Sequence, residues 1–136
     1  MANQVQDWMS SPVILIAPET TIAQALTLMR RRGIHSLVID LTSGGEASYG
    51  IITTTDIRDK IVAENVDPAE MTVAEIMTSP VVCAKPDWSL GRAAQEMGKL
   101  DAHHLPVEDS RGSLVGMISA TDIFIAVEER GWEAGP

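Results

Sequence analysis

Apolar positions recur along this chain at two spacings, and the succession of spacings occurs twice. Val13-Ile14-Leu15-Ile16 is a short continuous apolar run closed by Pro18, which predicts a buried strand. Ile22, Ala25, Leu26 and Met29 then fall at i, i+3, i+4 and i+7, the spacing of one helix face. Thr21 and Gln24 fit a capping box at the start of that helix, and Gly33 supplies its stop. Leu37-Val38-Ile39 predicts a second strand. A polar loop carrying Gly44-Gly45 turns the chain into Tyr49-Gly50-Ile51-Ile52, a hairpin partner, and a helix starts near Asp56. The second half follows the same course. The apolar run Val81 to Ala84 precedes a helix face of Leu90, Ala93, Ala94 and Met97, capped by Ser89. Leu105-Pro106-Val107, a turn at Arg111-Gly112, the segment Leu114 to Ile118 and a helix near Asp122 complete it. Residues 65–75, with Asp67-Pro68, connect the copies, and Thr72 to Met77 adds a short helix.

The duplication extends to individual residues. Trp8-Met9-Ser10-Ser11-Pro12-Val13 returns as Ile76-Met77-Thr78-Ser79-Pro80-Val81, an offset of 68 (Trp8 to Ile76). Gly50-Ile51-Ile52-Thr53-Thr54-Thr55-Asp56-Ile57 returns as Gly116-Met117-Ile118-Ser119-Ala120-Thr121-Asp122-Ile123, an offset of 66 (Gly50 to Gly116). Two residues are therefore missing from the second hairpin loop. A long repeat that occurs twice predicts a pseudo-symmetric pair rather than a solenoid. The expected fold is α+β, two β-α-β-β-α repeats packed through their sheets, with two related clefts. The repeats divide the chain at 1–68 (core 8–65) and 69–136 (core 76–130). Each is near the lower size limit for independent folding, so a shared core is expected.

Composition narrows the function. The net charge of -9 is spread over both halves, -3 on the first 68 residues (5 basic, 8 acidic) and -6 on the last 68 (5 basic, 11 acidic). Neither half offers the basic footprint of a nucleic-acid binder, and five aromatics leave little for base stacking. The lone Cys83 excludes an internal disulfide and a thiolate metal cluster, and reads as a small buried residue. The start lacks the pattern of a signal peptide, and no apolar run approaches a bilayer's thickness. A soluble cytoplasmic protein without membrane insertion is expected.

Chemistry concentrates in the duplicated Gly-x-x-[Ser/Thr]-x-x-Asp-Ile. Thr53 with Asp56, and Ser119 with Asp122, fit a capping box that a helix needs whatever the function. The same geometry aims backbone N–H groups and a positive dipole end at one point, which suits phosphate. Thr53 or Ser119 then donates to phosphate, while Asp56 or Asp122 accepts from a ribose diol. His35-Ser36 and His103-His104 each precede a strand. They are either solvated loop histidines or donors to a phosphate, in which case affinity rises as pH falls through the histidine range. Adjacent histidines in extended chain point to opposite faces, which argues against a shared metal. Trp88 either covers a helix start or stacks on a base; Trp8 and Trp132 pack the termini. No nucleophile elbow, Walker sequence, dinucleotide fingerprint or zinc-protease motif occurs, and no catalytic residue, catalytic cofactor or metal is expected.

Met-[Ser/Thr]-x-Pro-Val, an amphipathic helix, a strand written Leu-Pro-Val in the second copy and Gly-x-x-[Ser/Thr]-x-x-Asp-Ile together resemble a tandem pair of CBS domains, the module named for cystathionine β-synthase. The resemblance covers residues 8–65 and 76–130. It implies a stand-alone regulatory module that binds AMP, ADP, ATP or S-adenosylmethionine in its clefts and modulates a separate, unidentified protein. By position it assigns Asp56 and Asp122 to ribose, Thr53 and Ser119 to phosphate, and His35, His103 and His104 to basic positions near phosphate. Val38 stands where the second copy has Pro106, and Ser36 where it has His104, so one cleft is expected to be weaker. The alternative is a structural dimerisation module with vestigial clefts; a small nucleotide enzyme has no support in the sequence. A homodimer is expected in either case. Ile123-Phe124-Ile125-Ala126-Val127 is apolar all round, so it needs cover either from a second copy or from the N-terminal segment with Trp8.

Overall fold

The computed structural model describes residues 3–11 and 13–131. Its helices and strands are α1 (Val5–Trp8), β1 (Leu15–Ile16), α2 (Ile22–Arg32), β2 (Ser36–Asp40), β3 (Tyr49–Thr53), α3 (Thr54–Ile57), α4 (Leu90–Leu100), β4 (His104–Glu108), β5 (Leu114–Ser119) and α5 (Ala120–Arg130). A π-turn, Arg58–Val62, continues α3, and two short 3₁₀ turns, Pro68–Glu70 and Val73–Glu75, lie in the connection. This is the α+β fold of two strand-and-helix repeats that the apolar spacing predicts. The chain packs as two compact units, cut differently from the sequence repeats. A continuous unit comprises Ile14–Val81; a split unit joins the residues before Ile14 to those after Val81.

In the continuous unit the sheet order is β1-β2-β3, with β1 parallel and β3 antiparallel to β2. Thr21 caps α2 in a reciprocal box with Gln24, and Gly33 at φ 63° ends it. Ile22, Ala25 and Met29 of α2 pack on Leu37, Ile39 and Ile52, and Val73 and Ile76 of the connection complete the same core. The connection is bonded into the unit: Ile22 N–H donates to the Met71 carbonyl at 2.9 Å and Val73 N–H to that of Thr20 at 2.8 Å. Thr78 and Ile51 exchange two backbone bonds of 2.9 Å each. The helix expected from Thr72 to Met77 is one 3₁₀ turn, held by a box between Thr72 and Glu75.

The split unit pairs β4 with β5 antiparallel. Its core joins Val5 to Leu90, Ala93 and Met97 of α4, to Leu105 and Val107, to Ile118, and to Ile123 and Ala126 of α5. Val5 is fully buried and donates its N–H to the Trp88 carbonyl at 2.9 Å; Ser10 and Met117 exchange two bonds of 2.9 Å. Each unit thus has its own buried cluster, where a single shared core was expected. The segments flanking the copies supply the apolar residues that one repeat alone lacks.

The structure departs from expectation at four further places. The first strand is two residues long rather than four, and Leu15 is 44% exposed. The run Val81 to Ala84 forms only one parallel bridge, Ala84 to Val107. Proline explains the difference between copies. Val38 donates its N–H to the Ile14 carbonyl at 3.4 Å, whereas its counterpart Pro106 has no N–H to offer. Ala94 is exposed, so α4 buries a narrower stripe than α2-like spacing suggests. Cys83 is half-buried rather than buried, and its thiol is pushed up to about 11, mainly by burial and secondarily by Glu108, with Lys85 opposing. Trp132 lies outside the described residues.

Both units press a methionine onto the glycine that opens the duplicated motif. A Cβ at Gly116 would lie 2.5 Å from Met9 Sδ and 2.9 Å from the Ser10 carbonyl oxygen. At Gly50 it would lie 2.7 Å from Met77 Sδ and 3.2 Å from the Thr78 carbonyl oxygen. Gly116→Ala is expected to cost about 1–3 kcal/mol, read as several degrees of Tm by differential scanning calorimetry, and Gly50→Ala less. Adding Met77→Ala restores most of the Gly50→Ala loss, because a flexible side chain is the main obstruction. Adding Met9→Ala fails to rescue Gly116→Ala, because backbone remains in the way.

Candidate functional site

The two motif copies build two like constellations, one in each unit. In the continuous unit β3 runs directly into α3, and Thr53 is the cap. Its hydroxyl accepts from Asp56 N–H at 3.2 Å, while Asp56 Oδ2 accepts from Thr53 N–H at 2.9 Å and from Thr53 Oγ1 at 3.1 Å. In the split unit Ser119 Oγ accepts from Asp122 N–H at 3.1 Å, and Asp122 Oδ2 accepts from Ser119 N–H at 2.8 Å. The capping reading of these residues is therefore realised in both copies. It consumes one oxygen of each carboxylate. Among the described residues no hydrogen bond reaches Oδ1 of either aspartate, so capping and acceptance from a ligand are compatible. Both aspartates are half-buried.

The strand register brings the histidine segments to the same place. Ser36 lies opposite Thr53, and His104 opposite Ser119. Directly opposed residues of an antiparallel pair project to one face, so His104 shares a face with the Ser119 hydroxyl. His35 and His103 contribute main chain: the His35 carbonyl accepts from Thr54 N–H at 3.0 Å, and the His103 carbonyl from Ala120 N–H at 2.9 Å. These bonds satisfy the first helical N–H of α3 and of α5, so fewer free donors remain than a bare helix start offers. Both histidine side chains are exposed, whereas His104 is half-buried. All seven predicted residues thus gather at two helix starts, four in the split unit and three in the continuous one. Among the described residues no group of three potential metal ligands occurs, and no helix is long and apolar enough to cross a membrane.

Sequence reasoning did not anticipate Lys60 or the contact that Arg92 makes with Trp88. Lys60, on the π-turn, donates to the Ile76 carbonyl at 3.0 Å and ties the end of the connection to the helix after the motif. Its counterpart in the other copy is the buried Ala126, so no repeat signal marked it. Trp88 neither simply covers α4 nor stands open. The Arg92 guanidinium lies 4.2 Å from its ring centroid, an i, i+4 stack that the spacing alone permitted.

The duplicated strand–cap–helix arrangement is that of a known module. The CBS-domain family model matches residues 5–63 and 73–129, so the chain belongs to the CBS-domain family and carries two copies of the domain. It is similar to the CBS domain pair of protein MJ0100, solved in complex with 5′-methylthioadenosine and S-adenosyl-L-methionine. That similarity is 30% identity with TM-score 0.80, over 93% of this chain and 97% of that one. A hexameric CBS-CP12 protein from bloom-forming cyanobacteria is 32% identical with TM-score 0.85, over 92% of this chain and 73% of that one. The CBS domain-containing protein YhcV of Bacillus subtilis is 28% identical over 123 residues, 90% of this chain and 84% of that protein. Other curated relatives are longer: the chain spans 56%, 24% and 16% of three of them.

The double use of the cap aspartate makes a clear stability forecast. Asp56→Asn and Asp122→Asn keep an oxygen for the cap and should lower Tm by no more than about 2 °C, whereas Asp56→Ala and Asp122→Ala should each cost about 1 kcal/mol. Thermal denaturation followed by circular dichroism distinguishes the two.

Proposed function

We propose that each unit holds an adenosine-containing ligand at its Ser/Thr–Asp cap, and that the chain is a non-catalytic regulatory sensor. The observation that carries this reading is the half-engaged aspartate, found twice. Oδ2 is committed to the fold, and the lone pairs of the second oxygen are left for an acceptor role toward a ribose diol. The Ser119 hydroxyl, with His104, serves a phosphate in the split unit where the ligand has one; the Thr53 hydroxyl gives its proton to Asp56 Oδ2 and reaches a phosphate only by turning away from it. The complex of the MJ0100 pair with two adenosine derivatives supports the same ligand class. AMP, ADP, ATP and S-adenosylmethionine are the candidates, and occupancy is passed to a separate protein. At a net charge of -9, long-range attraction to phosphate is absent, so recognition rests on local groups.

Ligand at about a hundred times its Kd stabilises by roughly 2.7 kcal/mol, several degrees at this length. Thermal denaturation with each candidate and with 5′-methylthioadenosine is expected to show such a shift for at least one. Asp56→Asn and Asp122→Asn should each remove one binding event in calorimetric titration while the protein stays folded. Absence of any shift, or full stoichiometry in both variants, refutes the reading and leaves a module with vestigial sites.

One observation favours association as well. Phe124 and Ile125 on α5 are 68% and 45% exposed, although Trp8 packs against the same unit's core. The N-terminal segment thus leaves this apolar face uncovered, and we infer that α5 meets a second copy. Light scattering should give a dimer or higher assembly for the wild type and a smaller mass for Phe124→Glu. A wild type that is monomeric at high micromolar concentration overturns this.

A further inference from the structure

We propose that the continuous unit is the polyphosphate site: it takes a nucleoside di- or triphosphate, while the split unit takes an adenosine compound carrying at most one phosphate. The inference rests on the adenosine-site reading above and concerns which ligand goes where. Its basis is a charge difference between two otherwise equivalent turns. In the continuous unit α2 ends in Arg30, Arg31 and Arg32, all exposed, and none forms an ion pair among the described residues. The counterparts in the split unit are Gly98, Lys99 and Leu100. Lys99 is already paired with Glu96 at 3.4 Å, and Asp101 stands where the first copy has Gly33. Over residues 28–33 the charge is +3, from three arginines and no acid; over 96–101 it is -1, from Lys99 against Glu96 and Asp101.

These turns lie beside the proposed sites. Arg32 precedes His35 by three residues, and the His35 carbonyl accepts the first N–H of α3 at 3.0 Å. No more than about 11 Å of backbone separates the last arginine from that point, a span that an arginine side chain and a phosphate tail close from either end. Successive helical residues point about 100° apart, so the three guanidinium groups fan around the turn. Together they cover about 200° of the turn that leads into His35. Compensation of the helix dipole also favours cations here. That need is met at the end of α4 by a single lysine and at the end of α5 by the single Arg130, so it does not account for three. Guanidinium groups are also suited to bidentate bonding of phosphate oxygens and stay charged at all relevant pH.

The test is calorimetric titration of ATP and AMP into the wild type, Asp56→Asn, Asp122→Asn and the triple variant Arg30→Gln/Arg31→Gln/Arg32→Gln. Glutamine keeps helix propensity at exposed positions, and circular dichroism checks the fold. ATP affinity should fall at least tenfold in the triple variant while AMP affinity changes less than threefold. The triple lysine variant should retain most of the ATP affinity, and the ATP event should vanish in Asp56→Asn but persist in Asp122→Asn. The inference is overturned by equal losses of ATP and AMP, by unchanged ATP affinity in the glutamine variant, or by ATP binding that depends on Asp122. If no adenosine compound binds the wild type, the site reading itself fails. That outcome is distinct from the three that overturn only the allocation of ligands.

Discussion

Both units depend on a segment of backbone lying against a strand at a point where the strand has no side chain. Gly116 and Gly50 admit the approach; Met9 and Met77 fill the space above, and paired backbone bonds from Ser10 and Thr78 fasten it. The consequence is an exchange along the chain. The Met-Ser-Ser stretch ahead of the first copy belongs to the unit built from the second, and the Met-Thr-Ser stretch ahead of the second belongs to the unit built from the first. Each repeat would otherwise present a half-covered sheet and an incomplete core. Val5 in one unit, and Val73 with Ile76 in the other, are the buried side chains that the exchange delivers.

The cap at the head of α3 and α5 leaves room for a structural and a proposed ligand-directed role in one residue. A carboxylate has more lone pairs than a capping box uses, so Asp56 and Asp122 hold their helix starts with one oxygen and keep another for an outside donor. The copies then diverge in the charged groups around the cap rather than in the cap itself. The helix three residues before His35 ends in three permanently charged arginines, whereas the helix before His103 and His104 ends in a single paired lysine. On the proposed reading, two sites of like geometry and unlike electrostatics would let one small module respond to two members of a ligand class.

Much of this was legible in the residue order. The capping boxes of α2, α3 and α5 were visible because the Ser/Thr and its partner lie three residues apart, so the bond is local. The hairpins were visible because strand alternation and turn glycines are also local. What escaped was non-local or depended on a missing group. Pro106 reduced the first strand of the second copy to a single bridge, an effect felt on a neighbouring chain segment rather than at the proline. The exchange of Met9 and Met77 between copies left no mark in a comparison of the copies, because both halves of the contact are conserved in each. Lys60 was hidden for the opposite reason, since only one copy has it. The assignment of three histidines to side-chain and main-chain roles required the registers of β2 on β3 and of β4 on β5, which no spacing reveals.

The two units also differ in how their parts are strung together. Every residue of the continuous unit lies within Ile14–Val81, so its core closes through contacts among consecutive residues of one stretch. The split unit must bring the segment around Val5 to α4 and β5 across that whole stretch, and closing a flexible loop costs more the longer it is, by about 0.6 kcal/mol per doubling. Once the continuous unit has folded, the loop is no longer a free chain of that length but a body with fixed ends. Formation of the first unit therefore lowers the entropic barrier to the second through connectivity alone. A disturbance confined to the continuous unit lengthens the tether on which the split unit's completion depends.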